Sequence, residues 1–366
     1  MKRLLMLLFL LLAASPSHAI DGGAGWHWNK LNDTFQAGGD FRYRNEGIKE
    51  ASEEFRYRQK IRMRGIMAAR LSDELHFITR IGSGPSDSPL SMNQQLDGGF
   101  TSKPLWIDVA SLCWSPSGIS GLTLAGGKLR TPFRDTGALQ LIFDSDISPE
   151  GMSAKYHVTF AETGLFVNAG TFVVDERSEG RDVQLSGVQA GAERTVGAFA
   201  LTLGTSYYHY LGAKGHAPFY GSSGRGNALD SEGNYAHGFE EFELFSDATG
   251  RIGRLPVKLF VDGVMNRAVN DDNLGIGTGF TLGKCKSQGD FECHYEYKRL
   301  EKNSVAGIFA DSSFVGGSSD GKRHKVSFGY KFADKIQGKL SYQHNTKGLA
   351  NGEAYHVMQI DVLCWL

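Results

Sequence analysis

The sequence predicts an all-β protein, a transmembrane antiparallel β-barrel of roughly sixteen strands with short periplasmic turns and long extracellular loops. Three observations predict it. The chain opens on a secretion-type leader. The remainder alternates apolar and polar residues in blocks of roughly nine to sixteen residues. The links between blocks are short and long in turn.

The leader comes first. Lys2 and Arg3 precede an apolar run from Leu4 to Ala14, and Ser17-His18-Ala19 supplies the small residues of a cleavage site. That is the layout of a signal peptide, and the run is too short to span a bilayer as a helix. Cleavage is expected after Ala19. No later stretch approaches about eighteen consecutive apolar residues. An exported chain of this kind is either soluble or a barrel, because only helices and closed barrels satisfy every backbone polar group in lipid. The expected organisation is 1–19 signal peptide, 20–33 short periplasmic lead and 34–366 barrel.

Composition suits many strands joined by tight turns. Glycine is abundant at 47 of 366 residues, against a usual share of about 7%, and proline is scarce at 9. The formal charge is −1. No basic run interleaves with aromatics, so a nucleic-acid partner is not expected. Cys113, Cys285, Cys293 and Cys364 show no CxxC or Cys/His spacing, so neither metal nor cofactor is expected. Export permits disulfides, and a local Cys285–Cys293 bridge across a turn is the favoured pairing.

Period-2 alternation marks strands at about 34–46, 54–70, 74–83, 103–114, 120–130, 151–160, 163–175, 181–194, 196–211, 237–247, 253–268, 273–283, 289–302, 322–333, 335–346 and 354–366. Links after even strands are short: Leu71-Ser72-Asp73, Ser115 to Ile119, Ala161-Glu162, Thr195, Ala248 to Ile252, Lys284 to Gln288 and Ala333-Asp334. Several links after odd strands are long: 84–102, 131–150, 212–236 and 303–321. A soluble sandwich has no reason to segregate its loops by length in this way. Both termini fall on the short-turn side. Val326, Phe328, Tyr330 and Phe332 alternate with Lys325, Ser327, Gly329 and Lys331, giving one lipid-like face and one wet face. Tyr156, Tyr207, Tyr295, Tyr330 and Tyr342 are candidates for interfacial girdles. Sixteen such strands enclose water, whereas eight are filled by side chains.

The strongest local feature is the run from Phe55 to Arg64. Arg56, Arg58, Lys60, Arg62 and Arg64 share one face, and Tyr57, Ile61 and Met63 share the other. A cation on the lipid face costs about 2–4 kcal/mol near the midplane, so these five are expected to face the lumen. Arg42 and Arg44, with Asp40 in phase, join them from the preceding strand, and His76 and Arg80 from the next. Such a wall repels itself unless acids face it. Segment 131–150 offers Asp135, Asp144 and Asp146, with Arg134, as a constriction loop. Fixed charge of this kind selects ions, or it pins the loop; both readings stay open.

The chain resembles the putative-porin family of proteobacterial outer-membrane proteins. The matching stretches are Phe55 to Arg64; Trp106 to Ala110 with Cys113-Trp114-Ser115-Pro116; Gly126-Gly127-Lys128 with Thr131-Pro132-Phe133; Asp144-Ser145-Asp146 with Pro149-Glu150-Gly151; and Ala310 to Phe314 followed by Gly316-Gly317. The resemblance implies a barrel with a passive transport role in the outer membrane of a Gram-negative bacterium. Implied partners are outer-membrane lipid and lipopolysaccharide, the barrel-assembly machinery and small hydrophilic solutes. A homotrimer is expected by analogy alone. The chain departs from the family pattern in leaving no room for a coiled coil before the barrel, and in placing Leu366 where a terminal aromatic usually stands.

The expected function is a non-enzymatic, water-filled channel for small hydrophilic solutes or ions, with anions favoured by the basic wall. A substrate-specific channel for an anionic solute is the main alternative. An adhesin or structural barrel is a second. A barrel enzyme is a third, with His209, His216, His237, Asp230, Ser222 and Ser223 around one loop but no nucleophile-elbow pattern.

Overall fold

The structure, a computed structural model, describes residues 29–51, 53–85, 90–178 and 180–366. The expected signal peptide and most of the lead lie outside these residues. Among the described residues no helix is long and apolar enough to cross a membrane, and the chain crosses with strands.

Sixteen long strands follow one another: β1 Phe35–Glu50, β2 Arg56–Arg70, β3 Leu75–Ser83, β4 Leu105–Trp114, β5 Leu122–Lys128, β6 Glu150–Phe160, β7 Thr163–Asp175, β8 Val183–Val196, β9 Phe199–Leu211, β10 Phe239–Ile252, β11 Leu255–Asn266, β12 Leu274–Gly283, β13 Phe291–Leu300, β14 Gly321–Ala333, β15 Ile336–Lys347 and β16 Glu353–Trp365. Each pairs antiparallel with its sequence neighbours. The sheet closes where β16 meets β1, from Tyr355 opposite Glu50 to Trp365 opposite Asp40. Closure leaves no free edge, as lipid demands. Two two-residue strands supplement the wall. Asn29–Lys30 pairs with β1. Gln94–Gln95 takes over from β3 beside the loop end of β2.

Alternation decides which face meets lipid. Val326, Phe328, Tyr330 and Phe332 of β14 are exposed, as are Leu340 and Tyr342 of β15 and Met358, Ile360 and Val362 of β16. The residues between them point inward and are mostly buried. Tyr156 and Tyr207 also lie exposed on the outer face. Leu366 does too, with its backbone N–H donating to the Gly39 carbonyl at 2.9 Å.

The turns at one end are tight. The turn expected at Thr195 falls instead at Gly197-Ala198, because Val196 pairs with Phe199. Gly197 has φ +60°, which a two-residue hairpin turn requires and Thr195 would resist. The stretch from Ala248 to Ile252, expected as a turn, continues β10, and Gly253-Arg254 makes the reversal. The four cysteines are free. That corrects the Cys285–Cys293 bridge. Cys293 sits opposite Leu282 and Phe328 on the outer face, while the Cys285 sulfur lies on the inner side, 3.4 Å from where a Cβ on Gly329 would be. A strand puts the two thiols on opposite sides of the wall.

All four long loops send residues inward, the first of them through Leu90. Leu139, Leu141, Phe219, Tyr235, Val305, Phe309 and Phe314 are buried and join inner-face Tyr208, Tyr210, Phe239 and Phe260 in one apolar cluster. Leu139 reaches the far wall at β12, where the place of a Gly277 Cβ is 2.9 Å from its methyl carbons. A side chain at that glycine would push the loop off the wall.

Candidate functional site

The wall is built from β16, β1 and β2. Their register places Arg42 opposite Arg62, Arg44 opposite Lys60 and Asp40 opposite Arg64. Like charges directly opposite destabilise a sheet, and most of these bases are met by an acid or amide on a neighbouring strand or loop. Asp40 takes Arg62 at 2.9 Å and Arg64 at 2.7 Å. Asp361 of β16 takes Arg44 through two parallel bonds of 2.6 and 2.7 Å. Glu46 takes Lys60 at 2.8 Å and accepts from Gln359 at 2.8 Å. Arg42 donates to Asn93 of loop 84–104. Arg56 lies 3.8 Å from Glu50, which Lys347 approaches at 2.6 Å. Arg58 has no ion-pair partner among the described residues.

Arg80 does not belong to the water-exposed wall. It is 1% exposed. It pairs with Asp108 and donates to Ser148 at 3.2 Å. The end of loop 129–149 covers it, so it anchors that loop instead of lining water.

The expected constriction loop crosses the lumen, and its charged residues separate into different tasks. Asp146 approaches Arg64 at 3.6 Å and accepts from the Met92 backbone at 3.4 Å. Burial works to raise its carboxyl, but Arg62, Arg64 and Arg42 hold it below the usual carboxylate range. Asp144 turns the other way, accepting from the Ser312 backbone at 2.7 Å. Burial, with Asp146 and Asp311 nearby, pushes it up to about 7. Asp135 accepts from Gln140 within the loop at 2.9 Å. Arg134 pairs with Glu193 of β8, and its guanidinium stacks 3.9 Å over the Phe166 ring. Of the three acids, Asp146 alone meets the basic wall.

A second anchor was not read from the sequence. Asp311 of loop 301–320 takes Arg323 at 2.6 Å and Lys298 at 3.0 Å, and Arg323 also pairs with Glu296. Lys298, Arg323 and Glu296 have no solvent exposure. Their inward phase on β13 and β14 was available as a signal, and Asp311 stands inside a family-matching stretch.

Between the wall and these loops lies a cavity of about 670 Å³. Arg44, Arg56, Arg58 and Lys60 line it from the wall, and Arg225 lines it from loop 212–238. Four acids also line it: Glu46 and Glu50, which are paired with bases, and Asp320 and Glu353. A second cavity, of about 820 Å³, lies between loops 84–104 and 129–149, with Asp108, Lys128 and Asp146 among its lining.

Comparison with known proteins gives the same architecture. The chain is similar to Pseudomonas putida OprB, with a TM-score of 0.63 at 10% identity, covering 91% of this chain and 94% of that one. It is similar to a loop-deletion mutant of OmpT, an outer-membrane protein of Vibrio cholerae, at 0.53 and 14%, covering 91% and 100%. A mutant of Rh. blastica porin matches at 0.50 and 9%, again covering 91% and 100%. At these identities the likeness concerns the fold. No curated protein matches the sequence. The family whose description is "Putative porin" matches residues 26–220, more than half of the chain. Family and fold together point to a channel of the Gram-negative outer membrane. The chain belongs to the putative porin family.

Proposed function

We propose that the chain is a non-enzymatic pore that passes small hydrophilic solutes by passive diffusion and prefers anions. The observation that carries this reading is Arg58. It lines the 670 Å³ cavity with no ion pair among the described residues, and the six bases in that lining (Arg44, Arg56, Arg58, Lys60, Arg225 and Lys347) outnumber its four acids (Glu46, Glu50, Asp320 and Glu353). The fixed charge left over is positive, and fixed charge at a narrow point selects ions.

Reversal potential in a salt gradient across a planar bilayer tests it. Wild type is expected to favour anions. Changing Arg58, Lys60 and Arg62 to Ala together is expected to move the reversal potential toward the cation side. A reversal potential that does not move would sink the proposal, and absence of conductance would favour a structural barrel.

A solute-specific channel for a small anion is favoured by Arg56, Arg58 and Arg225 lining a single cavity. A current that a candidate anion blocks saturably would distinguish it from general diffusion. Assembly as a homotrimer is proposed from the V. cholerae OmpT structure described as a trimer form, with a TM-score of 0.51 and 13% identity. Buried His216, 3.1 Å from Asp175 and tilted against the Phe219 ring, supports a packing role for that loop histidine over a catalytic one.

A further inference from the structure

The rim of the barrel dips at one hairpin. β5, with seven residues, is the shortest of the sixteen long strands. A tilted strand needs about 9–11 residues to cross the hydrocarbon. The shortfall lies at the long-loop end. β5 stops at Lys128, opposite Ala110, while residues 105–109 of β4 run on with no strand partner on that side. β6 begins at Glu150, opposite Val173, while β7 runs on to Asp175. β4 and β7 are three strand spacings apart, about 14 Å. The barrel stays closed below this notch.

The 820 Å³ cavity stands in the notch, and its lining comes from both faces of the wall. Ile107, paired with Ile81, and Val173 are exposed on the outer side. Phe133, Phe172 and Phe309 belong to the inner apolar cluster. A cavity shared by the two faces is a side opening. Unpaired backbone at membrane depth is tolerated where it is buried in protein or lines a water-filled cavity. Leu105, Trp106, Ile107 and Asp108 of the unpaired stretch all border this one.

The chemistry of this cavity is the reverse of that beside the basic wall. Trp106, Phe133, Phe143, Phe172, Tyr220 and Phe309 supply aromatic surface. Asp108, Asp146, Glu150, Asp175 and Glu176 also line it, with Lys128 as the only base in the lining. Arg80 and Arg64 stand behind Asp108 and Asp146, and Lys128 meets Glu150 at 3.0 Å. Two acids are left over at the end of β7. Asp175 meets the His216 ring at 3.1 Å. Glu176 has no ion pair among the described residues. Aromatic faces beside carboxylates favour an organic cation, and a cation over such a ring gains about 0.5–2 kcal/mol.

We propose that this cavity is a binding site for small organic cations with an apolar body. The body lies against the aromatic rings and extends through the notch toward the outer leaflet. The cationic head turns to Asp175 and Glu176. The site is separate from the basic cavity, so failure of this assignment leaves the anion preference of the pore untouched.

The full barrel in phosphatidylcholine nanodiscs, titrated with trimethylammonium-diphenylhexatriene, tests the site. This probe is an apolar rod with a cationic head. Energy transfer from tryptophan reads its binding, because Trp106 lines the cavity. The matched anionic probe, diphenylhexatriene propionate, measures transfer to probe in the surrounding lipid. Heat-modifiable migration checks that each variant is folded. Wild type is expected to show saturable transfer with the cationic probe alone. The double variant Asp175→Asn with Glu176→Gln is expected to bind about fivefold more weakly. Thr131→Phe, which places a ring in the cavity, is expected to abolish saturation. Tetramethylammonium at millimolar concentration is expected not to compete, because it lacks the apolar body.

Absence of saturable transfer would overturn the proposal. Equal saturable transfer to the anionic probe would make the cavity merely apolar and overturn the cation assignment. Unchanged affinity in the double variant would do the same. Unchanged affinity in Thr131→Phe would place the probe outside the cavity. Full competition by tetramethylammonium would make this a simple cation site and overturn the role given to the aromatic rings.

Discussion

The two halves of the lumen solve the same problem in opposite ways. Around β16, β1 and β2 the inner face is charged, its ion pairs are partly wetted, and a cavity stands beside it. Around β9 to β13 the inner face meets inward loops and packs like a soluble core, with Tyr208, Phe239, Phe260 and Phe309 in one cluster. A barrel of this size would be wide open if all of its loops stayed outside. Filling one half with apolar loop residues narrows the path and places it against the basic wall. Selectivity then depends on packing as much as on charge.

The largest effect is expected where the packed half holds its buried charges. Asp311→Ala removes the carboxylate shared by Arg323 and Lys298, both without solvent exposure. Stranding buried charge costs about 3–5 kcal/mol. The urea midpoint of the folded barrel is expected to fall and single-channel conductance to rise as loop 301–320 loosens. Unchanged conductance would mean that the loop does not narrow the path. Leu139→Ala comes next. It leaves a cavity against Gly277, for a cost of about 2–4 kcal/mol. The same two measurements are expected to move in the same direction, by less.

How far this arrangement was legible in the sequence differs between the halves. The wall was legible because a period of two puts Arg56, Arg58, Lys60, Arg62 and Arg64 on one face, and lipid forbids that face to be the outer one. Its neutralising partners were harder to see. Asp361 meets Arg44 only because the last strand closes on the first, a contact 317 positions apart. The packed half was less legible still. Val305 to Val315 lies in a long loop with no strand alternation, and although seven of its eleven residues are apolar, its place inside the barrel depends on Asp311 reaching two cations on neighbouring strands. Arg80 was misread for a related reason: its strand phase faces inward, but loop 129–149 closes over it. The Cys285–Cys293 pairing failed because closeness in sequence says nothing about which side of the wall a turn residue takes.

Two acids on one loop, two positions apart, carry the comparison into pH. Asp144 faces the packed half, where its carboxyl is pushed up to about 7. The folded state therefore holds a proton that the unfolded state has released, between the ordinary carboxylate value and about 7. Stability from this group is present in acid and is lost as pH rises through that window. Asp146 faces the wall and is held below the ordinary range. Its contribution has the opposite sign: it is present above the unfolded value and lost only in stronger acid. Asp144→Asn is expected to flatten the fall in urea midpoint between about pH 4 and about pH 7. A variant that keeps the wild-type slope would place that titration elsewhere.

The smallest expected effect on stability discriminates most sharply between wall and pin. Arg58→Ala removes a lumen cation with no ion pair among the described residues, so stability is expected to hold within about 0.5 kcal/mol. Arg62→Ala removes a partner of Asp40, whose carboxylate then rests on Arg64 alone. If the wall exists to select ions, Arg58→Ala shifts the reversal potential toward cations while leaving the urea midpoint in place. Arg62→Ala then lowers the midpoint, and it shifts selectivity less because half of a neutral pair is lost. If the wall exists only to pin loops, the order of the selectivity shifts disappears and Arg58→Ala does nothing. The unpaired base is thus the more informative of the two, because structural pinning assigns it no role.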